Sequence, residues 1–379
     1  IGRLIHLAGM LGRKVMISSA TIPPALAEGF FNAYQAGWTL HCHFKSAHSQ
    51  IACVWVDEFS TEVHRLENTN SIERCQTYQH FHRQFVTKRV TKLEKQIVKR
   101  KAIIIHCSDL LTEKDAQTSL QKQYFARMKD TAINLHQQHY SVDEKTGKHV
   151  SFGVIRMANI PPCINLTYFL LQTEYDETVA VKVMPYHSRQ VLLLRHEQEQ
   201  HLDEVLKRKE TCDMMPKAFE NRLIRSHLDS TKAKNVLFIL VATPVEEVGR
   251  DHDFDWAIIE PSSYRSIIQL AGRVRRHRQM AVAQPNIAIM QYNLKALRQD
   301  KKPAYCRPGY EVNSLRLESN DLTQLLDEVA INKSINAIPR IQQPEILHPK
   351  RQLADLEHQA INNALTKYQT KGPQGLQGW

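Results

Sequence analysis

The sequence lacks several features that would place it quickly in a class. No apolar run approaches the ~20 residues that a membrane-spanning helix requires, so we expect no membrane partner. The seven cysteines are scattered and form no CxxC pair, which argues against a disulfide framework and a zinc ribbon. No signal peptide opens the chain, so a cytoplasmic location is expected. No serine nucleophile elbow or cysteine-protease pattern is present.

Metal-binding and phosphate-binding loops are also missing. The clusters His41-Cys-His43 and His80-Phe-His82 are not followed by a second ligand pair at zinc spacing, so we predict no metal site. The pattern GxxxxGK[ST] does not occur, and the similar Thr146-Gly-Lys-His lacks the leading glycine and the hydroxyl residue. The backbone amides with which such a loop cradles phosphate are therefore not supplied by this chain.

Basic residues are in excess. Lys plus Arg number 50 against 39 Asp plus Glu, a net charge of +11 in 379 residues. That excess suits a polyanionic partner, nucleic acid above all. The run 88–101 carries seven basic residues and one acidic residue. A solvated helix face is the favoured interpretation of this run, and phosphate binding is the alternative.

The apolar pattern predicts an α/β fold. Short apolar runs bounded by polar residues alternate with helical patterns at the interval of βαβ units, which predicts a mostly parallel, doubly wound sheet. We expect a tail of an α/β domain at 1–60, a helical connector at 61–140, an α/β domain at 141–295 and an accessory region at 296–379. The predicted strands are 14–19, 51–56, 151–158, 179–184, 236–241, 256–259 and 287–290, and the predicted helices include 25–36, 191–209, 322–331 and 353–365.

The strongest chemical signal is Gln269-Leu-Ala-Gly-Arg-Val-Arg-Arg. Arg273 and Arg276 lie three residues apart on a predicted helix and so point the same way. Two guanidinium groups aimed into a cleft suit the charge of a transferring γ-phosphoryl group. Gly272 would let the backbone approach closely. By itself the pattern also fits a basic helix face on the surface.

Two further segments follow predicted strands. Ala242-Thr-Pro-Val-Glu-Glu-Val-Gly-Arg-Asp stands at the end of an apolar strand, where α/β sheets bind ligands. Ser19-Ala-Thr follows the strand predicted at 14–19. We expect the side chains at 243, 251, 273 and 276 to line one concave edge of the sheet.

In this order the three segments resemble motifs III, V and VI of superfamily 2 helicases. Val150-Ser-Phe-Gly-Val-Ile-Arg-Met-Ala-Asn, Tyr186-His-Ser-Arg and Gly249-Arg-Asp-His-Asp-Phe-Asp-Trp resemble the helicase-nuclease of type I CRISPR systems, in particular the type I-F branch. The resemblance implies that 1–60 ends a first RecA-like lobe and that 141–295 is the second lobe. Val56-Asp-Glu follows Ser-Ala-Thr instead of preceding it, so we interpret Asp57 and Glu58 as a strand-end acid pair.

The resemblance also implies roles for single residues. Arg273 and Arg276 would be arginine fingers, and Gln269 would position the nucleotide. Pro244 stands where the family usually has Gln, which puts one DNA contact in doubt. The remaining implied roles are nucleotide binding by Gly249, Asp251 and Gly272, coupling by Ser19, Ala20 and Thr21, and DNA binding by Thr243, Arg156, Asn159, His187, Ser188 and Arg189.

The resemblance implies an ATP-dependent single-stranded DNA translocase coupled to a nuclease that degrades invading DNA. Its phosphate loop, Mg²⁺ ligands and the divalent metal of the HD nuclease are expected outside this chain, which we expect to be part of a longer polypeptide and inactive alone. The implied partners are single-stranded DNA, an RNA-guided CRISPR surveillance complex and the CRISPR adaptation integrase. A degenerate, non-catalytic docking lobe and another superfamily 2 DNA or RNA helicase are the alternatives.

Overall fold

A computed structural model describes residues 1–19, 21–46, 48–67, 70–111, 117–210, 215–298 and 302–367. The chain forms two compact units. Unit 1 comprises Ile1–Gln96, Ala337–Pro349 and the residues from Ala354 onward, and unit 2 comprises Ile97–Asn336 and Lys350–Leu353. These boundaries do not coincide with the limits at 60, 140 and 295, and the lobe identities assigned to those segments stay predictions. Among the described residues, no helix is long and apolar enough to cross a membrane.

Unit 1 is a helical unit with one β-hairpin. Strands β1 (Ile51–Val56) and β2 (Thr61–Leu66) pair antiparallel, and Ile51 and Leu66 of this hairpin form a buried cluster with Phe31. Helices α1 and α2 approach so closely that a Cβ at Gly37 would lie 2.0 Å from the carbonyl oxygen of His6. The elements are α1 (Gly2–Met10), α2 (Pro24–Lys45), β1 (Ile51–Val56), β2 (Thr61–Leu66) and α3 (Ser71–Leu93), with α12 (Ile338–Ile341) and α13 (Leu353–Lys367) near the end.

The strand predicted at 14–19 is wrong. Those residues are irregular, and Met16 is 91% exposed. A buried strand needs neighbouring strands to satisfy its backbone groups, and in the described part of unit 1 the only sheet is the β1–β2 hairpin. The strand predicted at 51–56 is confirmed as β1.

Unit 2 is built on a seven-stranded sheet with the order β3-β9-β8-β5-β7-β6. All pairs on that path are parallel, and β4 pairs antiparallel with β5. The predicted α/β class with a mostly parallel sheet is therefore confirmed. The strands are β3 (Ala102–Ile105), β4 (Ser141–Asp143), β5 (Lys148–Arg156), β6 (Val179–Tyr186), β7 (Asn235–Ala242), β8 (Trp256–Ile259) and β9 (Ile287–Met290).

The central strands are apolar on both faces, as expected of a covered parallel sheet. Val154, Ile155, Val241 and Ile258 are completely buried. The predicted segment 61–140 contributes helices but also β3, which pairs with β9. The helices of unit 2 are α4 (Gln117–His139), α5 (Ile160–Gln172), α6 (Leu192–Leu206), α7 (Arg222–Ser230), α8 (Tyr264–Ala271), α9 (Leu294–Leu297), α10 (Leu322–Leu325) and α11 (Glu328–Lys333), and short 3-10 helices lie at Ser108–Leu111, Lys217–Glu220 and Pro244–Glu247.

Candidate functional site

The arginine segment lies in unit 2, at the end of α8. Ser263 caps the start of that helix, where its side chain accepts a hydrogen bond from the amide of Ser266, and Gly272 caps its end. Gly272 has an ordinary helical φ of −62°, so its conformation does not require glycine. The amide of Phe254 then donates to the carbonyl of Arg273 across 2.8 Å, and Arg275 N donates to the carbonyl of Phe254 across 3.0 Å. These bonds fix the segment beside the residues that lead into β8.

Arg275 stands between the two predicted fingers in a left-handed conformation, with φ at 44°. Few non-glycine residues adopt that region, and strained backbone of this kind concentrates at functional sites. Burial lowers the pKa of Arg275, and the neighbouring Arg278 lowers it further. The strained turn therefore holds one guanidinium inward while Arg276, the next residue, is exposed.

Arg273 is a buried cation with unused donors. The residue is 6% exposed, and its Nη2 donates to the carbonyl oxygen of Glu247 across 3.0 Å. Its Nε and Nη1 are buried without a hydrogen-bond partner among the described residues. Burial, and then the charge of Arg276, lower the pKa of Arg273. Buried donors without partners are costly, so the described residues give no internal reason for the charge of this guanidinium beyond its bond to Glu247.

Arg276 lies close enough to Arg273 to affect its pKa and pairs with Asp251. The distance from its Nε to Oδ1 of Asp251 is 2.7 Å, and Nε2 of His277 lies 2.9 Å from the same oxygen. Burial acts to raise the pKa of Asp251, but the neighbouring His277 and Arg276 lower it overall. The structure therefore brings together three predicted residues, 251, 273 and 276, and adds His277.

The expectation that Thr243 shares one sheet edge with the arginines stays a prediction. Thr243 follows the carboxyl end of β7 and is 5% exposed, whereas the backbone of Arg273 pairs with Phe254, two residues ahead of β8. The arginine segment thus passes the amino end of β8. Helix α8 starts after the carboxyl end of β8 and runs back along the sheet. The backbone of the arginine segment, which follows the helix, therefore lies one helix length away from that edge.

Arg156 does not present its guanidinium for a DNA contact. The residue is 0% exposed at the end of β5. Its Nε donates to Oε1 of Glu247 across 2.9 Å, and its Nη1 donates to the carbonyl of Glu260 across 2.8 Å. Its Nη2 donates to the hydroxyls of Ser262 and Ser266. The predicted DNA contact is corrected, because these donors are already bonded inside the protein.

The other predicted DNA-binding residues share the carboxyl edge of the sheet. Arg156, Ala242 and Tyr186 lie level in the register of β5, β7 and β6, so the residues that follow them are neighbours. Ser188 and Arg189 are exposed after β6, while His187 is 8% exposed with its Nδ1 unpartnered among the described residues. Burial and then the charge of Arg189 lower the pKa of His187.

Asn159 contributes to the same edge as the residue that precedes α5. It is half-buried, and its side chain makes no capping hydrogen bond.

At the neighbouring strand end Pro244 begins the 3-10 helix after Thr243, a position where a missing N–H costs little. Gly249 has φ at 72°, which favours glycine, and a Cβ there would meet no atom within 4 Å. Gln269 is half-buried in α8. Their ligand roles stay predictions.

The predicted coupling residues lie in unit 1. Thr21 is 5% exposed, and its Oγ1 accepts a hydrogen bond from Nε of Arg340 across 3.2 Å. Ser19 is exposed, and its Oγ lies 3.4 Å from the amide of Thr21. Ala20 lies outside the described residues. The hydroxyl of Thr21 is thus tied to a residue of the C-terminal part of the chain.

Asp57 and Glu58 form the hairpin turn between β1 and β2. Oδ1 of Asp57 accepts hydrogen bonds from the amides of Phe59 and Ser60, each across 2.7 Å, and Glu58 pairs with Arg89. The interpretation as a strand-end acid pair is confirmed. In the described part of the chain, no group of three or more His, Cys, Asp or Glu side chains is placed to hold a metal ion.

Sequence reasoning missed the residues that support the arginine segment. Arg278 donates to Asp253 and Asp255, and Asp255 also accepts from Arg208 across 2.7 Å. His252 is buried with its Nδ1 2.7 Å from Oε1 of Glu246. The alternation of acids at 251, 253 and 255 with Arg276 and Arg278 two residues apart was a readable signal for this network.

Comparisons with known proteins agree with the resemblance. Residues 149–279 match the family described as CRISPR-associated nuclease/helicase Cas3, C-terminal. The chain is 38% identical over 366 residues to the CRISPR-associated nuclease/helicase Cas3 subtype I-F/YPEST of Pseudomonas aeruginosa strain UCBPP-PA14, covering 95% of this chain and 32% of the relative. The protein of the same description from Pectobacterium atrosepticum is 36% identical, with coverages of 97% and 33%. The chain thus spans about a third of the length of these relatives. The crystal structure of T. fusca Cas3-AMPPNP aligns with 16% identity and a TM-score of 0.41, over 76% of this chain and 28% of that chain.

Proposed function

Since this chain belongs with the type I-F CRISPR-associated Cas3 nuclease/helicases in sequence, we propose that it is part of an ATP-dependent single-stranded DNA translocase. In this proposal unit 2 is the second RecA-like lobe, and the residues around Ser19 and Thr21 belong to the first. The motor would be coupled to a nuclease, and the whole would degrade invading DNA in the cytoplasm.

The observation that carries this proposal is the state of Arg273. A guanidinium that is buried and has two nitrogen atoms without a hydrogen-bond partner among the described residues fits a phosphoryl group better than it fits a structural role. Arg276, which retains 39% exposure of its side chain, supplies a second cation. In phosphoryl transfer such arginines stabilise the charge that develops on the transferring group.

The described residues offer cations for a triphosphate and no cluster of three or more metal ligands for its magnesium. ATP would bring Mg²⁺, whose charge helps to neutralise the phosphate oxygens. We therefore assign this chain two tasks toward the nucleotide: Arg273 and Arg276 orient and neutralise phosphate, and the buried wall around Arg273 excludes water. The phosphate loop, the Mg²⁺ ligands and the metal of the nuclease would come from elsewhere in the longer polypeptide.

DNA would lie along the carboxyl edge of the sheet. Arg189, Ser188 and Asn159 offer one cation and two hydrogen-bonding side chains there, which suits contact with backbone phosphates without base readout. The RNA-guided surveillance complex and the adaptation integrase are the protein partners that this function would require. Alone, the chain would bind single-stranded DNA weakly and hydrolyse ATP negligibly.

The test uses a polypeptide of the relatives' length that contains this sequence. DNA-stimulated ATP hydrolysis and strand displacement are measured for Arg273→Gln and Arg276→Gln, and Arg265→Gln on the exposed side of α8 is the matched control. Loss of one such arginine should lower the rate constant of hydrolysis about 10³-fold or more, while the control keeps it. Undiminished ATP hydrolysis in both variants would refute the proposal and favour a docking lobe.

A further inference from the structure

The end of the basic run 88–101 lies against the arginine segment, within unit 2. Nε of Arg100 donates to the carbonyl oxygen of Val274 across 2.7 Å, and Nζ of Lys99 donates to the carbonyl oxygen of Arg276 across 3.2 Å. The backbone is joined as well, because the amide of Val282 donates to the carbonyl of Val98 across 2.9 Å. Two cations from a distant part of the sequence therefore border Arg276.

These cations keep donors free. Nε of Arg100 and Nε of Arg276 are bonded, to Val274 and Asp251 respectively, and their terminal nitrogens make no hydrogen bond to another described residue. Within the described part of the chain, no carboxylate oxygen lies within 4.0 Å of a charged nitrogen of Lys99 or Arg100. Among the described residues Asp251 is the one acidic group within 4.0 Å of a charged nitrogen of these three cations, and the charge of Asp253 acts on Lys99 and Arg100 from farther away.

The cations are also partly withdrawn from water. Burial lowers the pKa of Arg100 to about 10; Asp253 opposes this shift, and Arg276 adds to it. Burial, and then the charge of Arg100, lower the pKa of Lys99. Like charges held together with reduced hydration repel each other. An anion placed between them would relieve that repulsion.

The start of the same basic run has a different environment. In unit 1, Nζ of Lys88 lies 2.8 Å from Glu62, and Arg89 lies 3.0 Å from Glu58. Those two cations already have acidic partners at the surface. The run thus has a paired part, Lys88 and Arg89 in α3, and a part beside the arginine segment, Lys99 and Arg100, with which no described acidic group pairs.

We propose that Lys99, Arg100 and Arg276 form a phosphate-binding site. Three cations from two segments, one of which is paired with the carboxylate of Asp251, match the negative charge of a phosphate group, and their N–H donors match its acceptor oxygens. The phosphate belongs either to a nucleoside triphosphate or to the backbone of single-stranded DNA, and this choice rests on the proposed function. The site adds two cations that lie outside all three helicase-like motifs.

The experiment measures binding by the 379-residue chain itself. A fluorescent oligothymidylate of about 20 nucleotides is titrated at several salt concentrations by anisotropy, and a non-hydrolysable ATP analogue is titrated by calorimetry. Arg100→Gln and Lys99→Gln should each weaken binding of the responding probe about 5- to 20-fold at low salt, and for DNA should reduce the salt slope by about 1. Arg100→Lys keeps the charge and should restore most of the affinity.

Lys88→Gln and Arg89→Gln are the matched controls, because they remove the same charge from the paired part of the run. Thermal unfolding checks that Arg100→Gln remains folded although it loses its bond to Val274. A weakened response to the ATP analogue assigns the phosphate to a nucleotide, and a weakened response to DNA assigns it to the backbone.

The site is overturned if the parent chain binds neither probe, or if folded Arg100→Gln and Lys99→Gln bind both as tightly as the parent. Normal binding in those variants with loss in Arg273→Gln would remove this site and leave the proposed function intact. Weakened binding in Arg100→Gln, together with no ATP hydrolysis by the longer polypeptide, would instead support the site and count against the motor.

Discussion

The carbonyl oxygen of Glu247 accepts a hydrogen bond from Nη2 of Arg273 across 3.0 Å. The carboxylate of the same Glu247 binds Nε of Arg156 and the hydroxyl of Ser266. Glu247, in the segment that follows β7, therefore joins the end of β5, helix α8 and the arginine segment. Arg156, which we expected at a DNA surface, instead supports the position of Arg273 through Glu247.

Replacing Arg156 should lower the stability of the protein, because this residue has an internal role and does not present its guanidinium for a DNA contact. Arg156→Gln leaves Glu247 buried with an unbalanced charge, which should lower the free energy of unfolding by about 3–5 kcal/mol. Arg189→Gln, at an exposed position after β6, should change it by less than about 0.5 kcal/mol and should weaken single-stranded DNA binding. Urea unfolding of the two variants gives the comparison. Equal stability of Arg156→Gln and the parent would contradict the observed network.

Arg273 and Arg278 should respond in opposite directions to the same substitution. Two buried nitrogens of Arg273 have no hydrogen-bond partner among the residues that the structure describes, so Arg273→Met should raise the free energy of unfolding by about 1–3 kcal/mol. Arg278→Met should lower it by about 3–5 kcal/mol, because Asp253 and Asp255 would lose their cation. Chemical unfolding of both variants is the measurement. A destabilised Arg273→Met would mean that its guanidinium is structural.

Asp255 should make stability depend on acid. Burial acts to raise its pKa, but Arg208, Arg278 and the amide of Phe152 bring it down to about 2. Because the folded pKa lies below the unfolded value of about 3.9, the stabilisation is present above that value and is lost as the pH falls toward 2. Unfolding by urea between these pH values should show this loss. Asp255→Asn should be less stable at neutral pH and should lack this part of the acid dependence, whereas Asp229→Asn at an exposed ion pair should behave like the parent.

His136 should add a second dependence at milder pH. Its Nδ1 lies 2.7 Å from the hydroxyl of Ser151, and burial lowers its pKa to about 4. Since the unfolded pKa is about 6.5, the unfolded chain binds the proton first, and stability falls as the pH drops from about 6.5 to 4. Burial lowers the pKa of His82 to about 4 as well, so His136→Gln should reduce this slope without abolishing it, and exposed His196→Gln should leave it unchanged. An NMR titration that protonates His136 near pH 6.5 would disprove the assignment.

The sequence predicted the parallel sheet because its central strands are apolar on both faces. Val236–Val241 and Trp256–Ile259 could be placed from composition and punctuation alone. It failed at Lys14–Ser19, where a strand-like run has no strand beside it among the described residues. It also missed β3, since four apolar residues beside a basic run do not reveal a partner more than 180 residues away.

For the candidate site, the identity of the residues was easier to predict than the direction in which their side chains point. The arginines and Asp251 were found from their spacing, and the structure places them together. Whether an arginine side chain points inward depends on whether the protein interior offers hydrogen-bond acceptors for it, as the contrast between Arg156 and Arg189 shows. Glu247, which decides the case of Arg156, has no distinguishing feature in the sequence. Lys99 and Arg100 were part of a charge run, and only the fold separates them from Lys88 and Arg89.

Unit 1 draws on both termini of the described chain, and this limits where the polypeptide can be divided. Arg340 binds Thr21 and Glu357, so a piece that stopped at Gln96 would leave Thr21 without this donor. A protease cutting the link near residue 97 would not release an intact amino-terminal product. Anyone dissecting this protein should instead excise 97–336 as an insertion and rejoin the two segments of unit 1 that flank it.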